Sequence, residues 1–467
     1  MPGRNRATFL TAGLAAATVG ASVGVPRAQE AEPPNPSLTF SIGETLEISD
    51  NPDNLTDPEE GGGYLRTNLG LAYFSATQVS ALSLGLDAGV ETGWFGDGQG
   101  FDERLETLGS EISYTREGAG SELVFDAAYR RVRLDDDVLL DILIEDEFED
   151  EDLVFSGGYR ETIRTGIGLV LGRDAPIGFE LGLSYLDIGY DDAPNSDPRT
   201  SYGGDAAVRL SVSPVLDLGV LAELDYDERD DEEDFESEDR TLAFTADYAV
   251  SPTLSVSGLL GVTQSETSET LLDGTRVTDS DEGATFGVEA ELDRPNGAIG
   301  MSFDSFFDED GRRNTVQLSR AVEYPLGDFA IAVGASRREE GDINPIVDLG
   351  YTRETPRGGL SIDLSSSVST DEDEDRIRSR LAAAYEQQIN TVSSWTASVD
   401  YASVETDADD TDDTSQLRAS LAYQRNITRD WNMTTGYRYV LANDEDGDEQ
   451  QSNVVFFGIS RDFTILP

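Results

Sequence analysis

The sequence contains no lysine, no histidine and no cysteine, so arginine supplies all 33 of its basic residues. Without histidine or cysteine, the chain cannot build a Ser-His-Asp or a Cys-His catalytic site. Zinc, haem and iron–sulfur centres that use these ligands are excluded for the same reason. A disulfide framework is also impossible, because it requires paired cysteines.

The second imbalance is one of charge sign. Asp and Glu number 93 against 33 basic residues, which gives a formal net charge of −60. Nucleic-acid binding depends on a basic surface, so we expect no nucleic-acid partner. Paired carboxylates can hydrolyse glycosides, but among 93 acidic residues such pairs arise by chance. We therefore expect that the protein is not an enzyme and has no cofactor.

The N-terminus has the features of an export signal. Two arginines within the first six residues precede an uncharged, apolar or small stretch over 7–25, which is typical of a secretory signal peptide. We expect cleavage after Ala28, with Ala21 as the alternative. Residues 1–28 would then be removed, and 29–36 would form a short N-terminal periplasmic segment. A retained membrane anchor is the competing interpretation.

The rest of the chain alternates apolar with small or polar residues. In the first segment Leu38, Phe40 and Ile42 share one face, whereas Thr39 and Ser41 share the other. Successive side chains of a strand point to opposite faces, so this period of two predicts β-strands. Twenty-two such segments follow one another along the chain.

The connections between these segments are of two alternating kinds. One kind is tight and carries the Pro, Gly and Asn that turns need, as at Ser213-Pro214. The other kind is longer and acidic, and comprises 50–63, 135–152, 191–199, 229–238, 266–282, 407–414 and 442–452. Short turns at one end and long loops at the other are typical of outer-membrane barrels.

These patterns predict an all-β fold. We expect a single transmembrane antiparallel up-and-down β-barrel over 37–467, with about 22 strands and a range of 18–24, in the outer membrane of a Gram-negative bacterium. A soluble β-sandwich has shorter strands and irregular loop lengths. The last segment places Val455, Phe457 and Ile459 on one face. It resembles the C-terminal signal read by the barrel-assembly machinery, although Arg461 interrupts that face.

The first segment closes with Glu-Ile-Ser-Asp-Asn over 47–51 and leads into an acidic loop. This ending, the signal peptide and the many short hairpins resemble the β-barrel porin family, second type. The resemblance covers nearly the whole mature chain and implies a porin-like architecture without an assigned substrate. Some similar barrels are associated with exopolysaccharide export.

The polar strand face carries the candidate functional side chains. Arginines and carboxylates on this face would either brace the wall as ion pairs or create a field that selects solutes. We assign Glu44 to this polar face. Arg320 falls on the apolar face, which leaves the register of its segment open. Aromatic residues near segment ends, such as Tyr64, Phe74 and Tyr190, are predicted to form interfacial girdles. By alternation the residues predicted to line the lumen and set its selectivity are Arg66, Arg164, Arg209, Arg378, Arg380, Arg418, Arg438, Glu180, Asp217, Glu289 and Asp304.

Three functions fit this pattern. A barrel this wide leaves an aqueous lumen unless it is plugged, so we predict passive diffusion of small hydrophilic solutes with a mild cation preference. The alternatives are exopolysaccharide export and a structural or adhesive surface barrel. We predict no specific metal site, but the acidic loops suit loose Ca²⁺ or Mg²⁺ binding. The expected partners are outer-membrane lipid and lipopolysaccharide, the assembly machinery and the solutes.

Overall fold

The computed structural model describes residues 36–51, 61–94, 101–134, 158–193, 196–230, 234–270, 274–308, 311–339, 341–371, 374–406, 413–443 and 449–466. The predicted signal peptide lies outside the described residues, as do large parts of the acidic loops. Within the described ranges, no helix has the length and hydropathy needed to cross a membrane.

Twenty-two strands, named β1 to β22 in chain order, make up the fold. The first eight are Ser37–Ser49, Gly62–Ala76, Ser80–Trp94, Phe101–Gly118, Ser121–Arg133, Tyr159–Leu171, Ile177–Asp191 and Arg199–Ser213. The next seven are Leu216–Arg229, Phe235–Ser251, Leu254–Thr270, Arg276–Arg294, Gly297–Asp308, Gly311–Tyr324 and Gly327–Arg338. The last seven are Ile343–Thr355, Gly358–Asp371, Glu374–Asn390, Ser393–Thr406, Thr414–Asn426, Trp431–Asn443 and Glu449–Leu466.

All 22 strands belong to one sheet that closes on itself. Each strand pairs antiparallel with its neighbours in the sequence, and β1 also pairs with β22. Closure leaves none of these strands with an unpaired edge. The predicted antiparallel up-and-down barrel of about 22 strands is confirmed.

The alternation in the sequence becomes the two faces of the barrel wall. In β10, Leu242 and Phe244 are 57% and 66% exposed, whereas Ala243 between them is fully buried. Directly paired residues of neighbouring strands point to the same side, so the strand register carries this alternation around the sheet. The outer face bears large apolar side chains without protein cover, which suits contact with lipid.

The two ends of the barrel differ in their connections. At one end, which we call the turn end, tight turns such as 118–121 join the strands. At the other, the loop end, the connections include 50–61 and 134–158. Short turns are periplasmic in outer-membrane barrels. Gly297 and Gly327 begin strands at the turn end with φ of 127° and 153°, where a Cβ would strike the backbone of the adjacent strand.

The barrel closes between β1 and β22 at a seam with additional hydrogen bonds at the loop end. The backbone and side-chain N–H groups of Asn453 donate to the two Asp50 carboxylate oxygens at 2.7 and 2.8 Å. The Asn51 side chain donates to the Gln451 carbonyl at 2.9 Å, and Ser452 Oγ donates to the Asn51 carbonyl at 3.0 Å. The Asp-Asn pair that follows the first strand therefore fastens the seam. We call Asp50, Asn51, Ser452 and Asn453 the seam latch.

One predicted loop is wrong. Residues 266–282 were expected to form an acidic loop, but β11 continues to Thr270 and β12 begins at Arg276. Their pairing continues unbroken through this polar region, with Glu266 opposite Ser280. Backbone hydrogen bonds between the two strands need no apolar side chains, so strand structure extends beyond the alternating apolar part of the sequence.

Candidate functional site: the charged lumen

The positions of charged residues in the lumen follow from strand register. Arg66 of β2 pairs with Thr45 of β1 and with Glu91 of β3, whereas its neighbour Leu65 is 42% exposed on the outer face. Arg66 and its cross-strand partners therefore point inward. Repeating this comparison of cross-strand partners from each strand to the next identifies which residues of every strand point inward.

Arg66 lies at the centre of an ion-pair cluster near the loop end. Its Nη2 is 2.5 Å from Glu106 Oε1 and 3.6 Å from Glu91 Oε2. Its Nη1 is 3.6 Å from Glu47 Oε1. The three glutamate side chains are only 5–8% exposed. Carboxylates this buried require a cation or hydrogen-bond donors, and Arg66 supplies the shared cation. We call these four residues the Arg66 cluster.

Two further groups attach to this cluster through Glu47. Arg438 of β21 places Nη2 2.7 Å from Glu47 Oε2. Tyr64 is 7% exposed and its hydroxyl donates to the same carboxylate at 3.1 Å. Because β1 and β21 flank β22, this network spans the seam between the first and the last strand and braces it from the lumen side.

A β-bulge brings Glu106 into the cluster. Gly89 pairs with Thr107 and Val90 pairs with Leu105, so Glu106 is the extra residue between them. A bulge redirects the side chains around it. A Cβ added at Gly89 would contact Thr107 Oγ1 and lie 3.5 Å from Glu106 Oε2, so both side chains turn to the same face. Strict alternation would have placed Glu106 toward lipid.

Three arginines follow one another along the inward face of β18, and we call them the arginine ladder. Arg376, Arg378 and Arg380 are spaced two residues apart, about 7 Å along an extended strand. Each lies opposite a serine of β17, and these are Ser369, Ser367 and Ser365. Guanidinium groups in such a row offer bidentate contacts to carboxylates, sulfates or phosphates.

The inward faces of β8 to β13 are rich in carboxylates, and we call them the acidic arc. Asp225 lies directly opposite Asp239, and Asp217 directly opposite Asp247. Like charges in this relation destabilise a sheet. Strands eleven positions apart face each other across a barrel of 22, so the arc faces β19 to β2, where Arg66, Arg418 and Arg438 lie.

Several inward carboxylates lie flat against the wall over glycines. Asp87 pairs with Gly109, and Asp205 pairs with Gly182. A Cβ at either glycine would collide with the carboxylate opposite. The missing glycine side chain thus leaves room for the acid along the wall, so negative charge lines the lumen without projecting into it. Asp304 adopts the same position over another glycine.

The structure places all the sequence-predicted lumen residues on the inward face, but it does not gather them into one site. Arg66 and Arg438 belong to the Arg66 cluster, and Arg418 is 3.7 Å from Asp400. Arg209 lies near the turn end, where its Nη2 donates to the Arg173 carbonyl at 2.8 Å. The remaining residues are Arg164, Arg378, Arg380, Glu180, Asp217, Glu289 and Asp304.

Some other placements from the sequence are wrong. Glu44 lies on the outer face, where its carboxylate accepts a hydrogen bond from Thr67 at 3.1 Å. Tyr64, Phe74 and Tyr190 face inward and do not belong to an outer girdle. The sequence could have placed Glu44 correctly, because it lies an even number of positions from the apolar residues of its strand and therefore shares their face.

The outward placement of Arg320 is confirmed by its pairing with Ile299 and Ile331. Its guanidinium reaches toward the turn end, where it donates to the Ala298 carbonyl at 3.0 Å. The long side chain thus moves its charge away from the apolar band.

Comparison with solved structures places the fold among large outer-membrane barrels. The ferric-catecholate import receptor Fiu of E. coli K12 matches with a TM-score of 0.56 and 10% identity, over 93% of this chain and 82% of that one. The siderophore receptor PiuA of Acinetobacter baumannii gives 0.54 and 10%, over 91% and 82%. The copper transporter OprC gives 0.51 and 12%, over 93% and 81%. The chain has the fold of an outer-membrane β-barrel.

Comparisons by sequence, in contrast, find no match. No protein-family model matches the chain, and no curated protein is detectably similar to it. The resemblance to the β-barrel porin family, second type, therefore stays a prediction. In the described part of the chain, no group of three or more acidic, histidine or cysteine side chains is arranged to hold a metal ion.

Proposed function

We propose that the protein is an outer-membrane transport barrel through which small hydrophilic solutes diffuse. This proposal rests on the inner wall, where carboxylates lie flat over glycines. These carboxylates give the wall negative charge without projecting into the lumen. A barrel of 22 strands is wide enough to hold water and solutes. Its inward face carries the Arg66 cluster, the arginine ladder and the acidic arc, which suits a hydrated path.

A plug is the main obstacle to free diffusion, since 22-stranded transporters carry one in the lumen. Between Ser37 and Leu466 the longest connection between strands is 134–158. A segment of that length is too short for a separate plug domain, so none is inserted between the strands of this sequence.

The charge distribution supports a cation preference with local anion contacts. The acidic arc and a net charge of −60 raise the local concentration of cations. The arginine ladder lies in the loop-end half of β18 and offers contacts to anionic groups of a passing solute. A solute that carries both signs of charge would find partners on both walls.

The test is single-channel conductance of the refolded barrel in planar bilayers, with the reversal potential measured under a salt gradient. Stable conductance steps with a cation-selective reversal potential are the expected result. A correctly folded barrel that never shows a conductance step would overturn the proposal.

Two pairs of variants test the contributions of the acidic arc and the arginine ladder to selectivity separately. Asp225→Asn with Asp239→Asn should shift the reversal potential toward anions, because both remove negative charge from the acidic arc. Arg378→Gln with Arg380→Gln should shift it toward cations. If neither pair of variants changes the reversal potential, the acidic arc and the arginine ladder do not determine selectivity.

A second candidate is uptake of a metal complex, because the similar solved structures include a ferric-catecholate import receptor, a siderophore receptor and a copper transporter. Its test is quenching of the fluorescence of the three tryptophans by a ferric catecholate or by Cu²⁺. Saturable quenching by a barrel that is silent in bilayers would support this candidate over diffusion. Open channels without saturable quenching would count against it.

A further inference from the structure

Charges at the turn end are sorted by the face of the wall. In the strand halves nearest this end, every described Asp and Glu residue faces the lumen. Of the described arginines in the same strand halves, Arg209 alone faces the lumen. The outward arginines of these halves are Arg116, Arg294, Arg320, Arg353, Arg425 and Arg461. In a chain of net charge −60, the described residues of these strand halves thus place six arginines and no carboxylate on the outer face. We call these six residues the arginine collar.

Three members of the collar repeat one short pattern. Tyr-x-Arg occurs at 114–116, 351–353 and 423–425, in β4, β16 and β20. These three strands run from the loop end to the turn end, so each tyrosine lies nearer the middle of the membrane than its arginine. Both residues share the outer face because they are two positions apart. Tyrosine marks the level of the membrane interface, and the arginine therefore reaches the level of the lipid headgroups.

Among the described residues, the collar arginines of this pattern have no polar partner. Arg116, Arg353 and Arg425 are exposed, and none makes a hydrogen bond or ion pair with another described residue. Their nearest outward cross-strand neighbours are apolar or uncharged, such as Leu123 beside Arg116 and Leu360 beside Arg353.

The loop end offers a direct comparison. The same pattern occurs at 129–131 in β5, which runs in the opposite direction. There Arg131 also faces outward, but it is 2.7 Å from Glu161 and 2.9 Å from Asp191. At the loop end the protein supplies the anion, whereas at the turn end no described residue supplies one to these three arginines.

We propose that the arginine collar binds the phosphate groups of anionic phospholipids in the periplasmic leaflet. A guanidinium matches phosphate oxygens with two parallel hydrogen bonds. The collar lies at headgroup level and carries one sign of charge. Among the described residues, no carboxylate pairs with its three Tyr-x-Arg members, and Arg461 is the member that approaches one, Asp430 at 3.9 Å. The proposal concerns the outer surface and does not rest on transport through the lumen.

The test is native mass spectrometry of the refolded barrel, released from detergent with equal amounts of phosphatidylglycerol and phosphatidylcholine. We expect preferential retention of phosphatidylglycerol. The triple variant Arg116→Gln, Arg353→Gln, Arg425→Gln should lose that preference, with affinity reduced by about fivefold per arginine. The matched control is Arg131→Gln, which removes an arginine of the same pattern whose partners are in the protein, and it should retain the preference.

Equal retention of both lipids by the native protein would overturn the proposal, as would a triple variant that behaves like the native protein. Folding of each variant is checked by the heat-dependent shift in gel mobility. If the triple variant does not fold, the lipid preference of the native protein still tests the proposal. Its preference for phosphatidylglycerol should weaken as salt is raised, because exposed charges are screened, and a salt-independent preference would contradict a collar of arginines.

Discussion

The loop-end and turn-end halves of this barrel use the same two kinds of charge in opposite ways. In the loop-end half, arginine and glutamate share the lumen and touch, as in the Arg66 cluster. In the turn-end half, the described acids of the strands face the lumen and the described arginines other than Arg209 face outward, on opposite sides of one sheet. The first arrangement neutralises charge within the protein. The second separates the two signs across the wall.

This difference has an energetic consequence. A buried ion pair costs desolvation of both partners, and the loss of one partner leaves an uncompensated charge. The loop-end half is therefore sensitive to single substitutions. The turn-end half contains like charges that repel, such as Asp217 opposite Asp247. Removing one of these should relieve the wall instead of weakening it.

The largest effect is expected for Arg66→Ala. It would leave Glu47, Glu91 and Glu106 without their shared cation, and breaking a buried charge pair costs about 3–5 kcal/mol. Urea-induced unfolding of the refolded barrel in lipid vesicles measures the loss. A change below about 1 kcal/mol, as for a surface pair, would show that the cluster is solvated.

The next largest effect is expected at the seam latch. Asp50→Ala removes two hydrogen bonds to Asn453, at a cost of about 1–3 kcal/mol for groups bonded to a charge. The same unfolding measurement applies. Asp430→Ala is the control, because its carboxylate is 54% exposed and 3.9 Å from Arg461, and it should change stability little.

A smaller effect of opposite sign is expected for Asp247→Asn. It removes one of two directly opposed like charges and should stabilise the barrel by about 0.2–1 kcal/mol. Asp400→Asn is the matched control, because it breaks a contact with Arg418 and should destabilise instead. If both variants shift the unfolding midpoint in the same direction, the contrast between the two halves is wrong.

The smallest effect is expected for Arg240→Gln at the loop-end rim. Its partner is Glu238, and the Arg240 side chain is 51% exposed. Exposed ion pairs contribute about 0–1 kcal/mol, so stability should remain nearly unchanged. A loss comparable to that of Arg66→Ala would mean that burial does not separate these two arginines.

The sequence alone was sufficient for the strand count and for the face of most residues. Alternation has a period of two, so one apolar residue fixes the side of every other residue in its strand. That is why Arg378, Asp217 and Glu289 could be placed in the lumen, and why Arg320 could be placed outside. The same rule fails at a bulge, and Glu106 is therefore absent from the predicted set.

The contacts between strands were decided only by the tertiary structure. The Asp-Asn pair after the first strand is visible in the sequence, but its partners Ser452 and Asn453 lie about 400 residues away. Their meeting depends on closure of the whole sheet. The alternation of side chains is a local property of each strand, so the sequence determines it. The seam latch, the Arg66 cluster and the opposed acids depend on register and closure, which are set by pairing across the entire barrel.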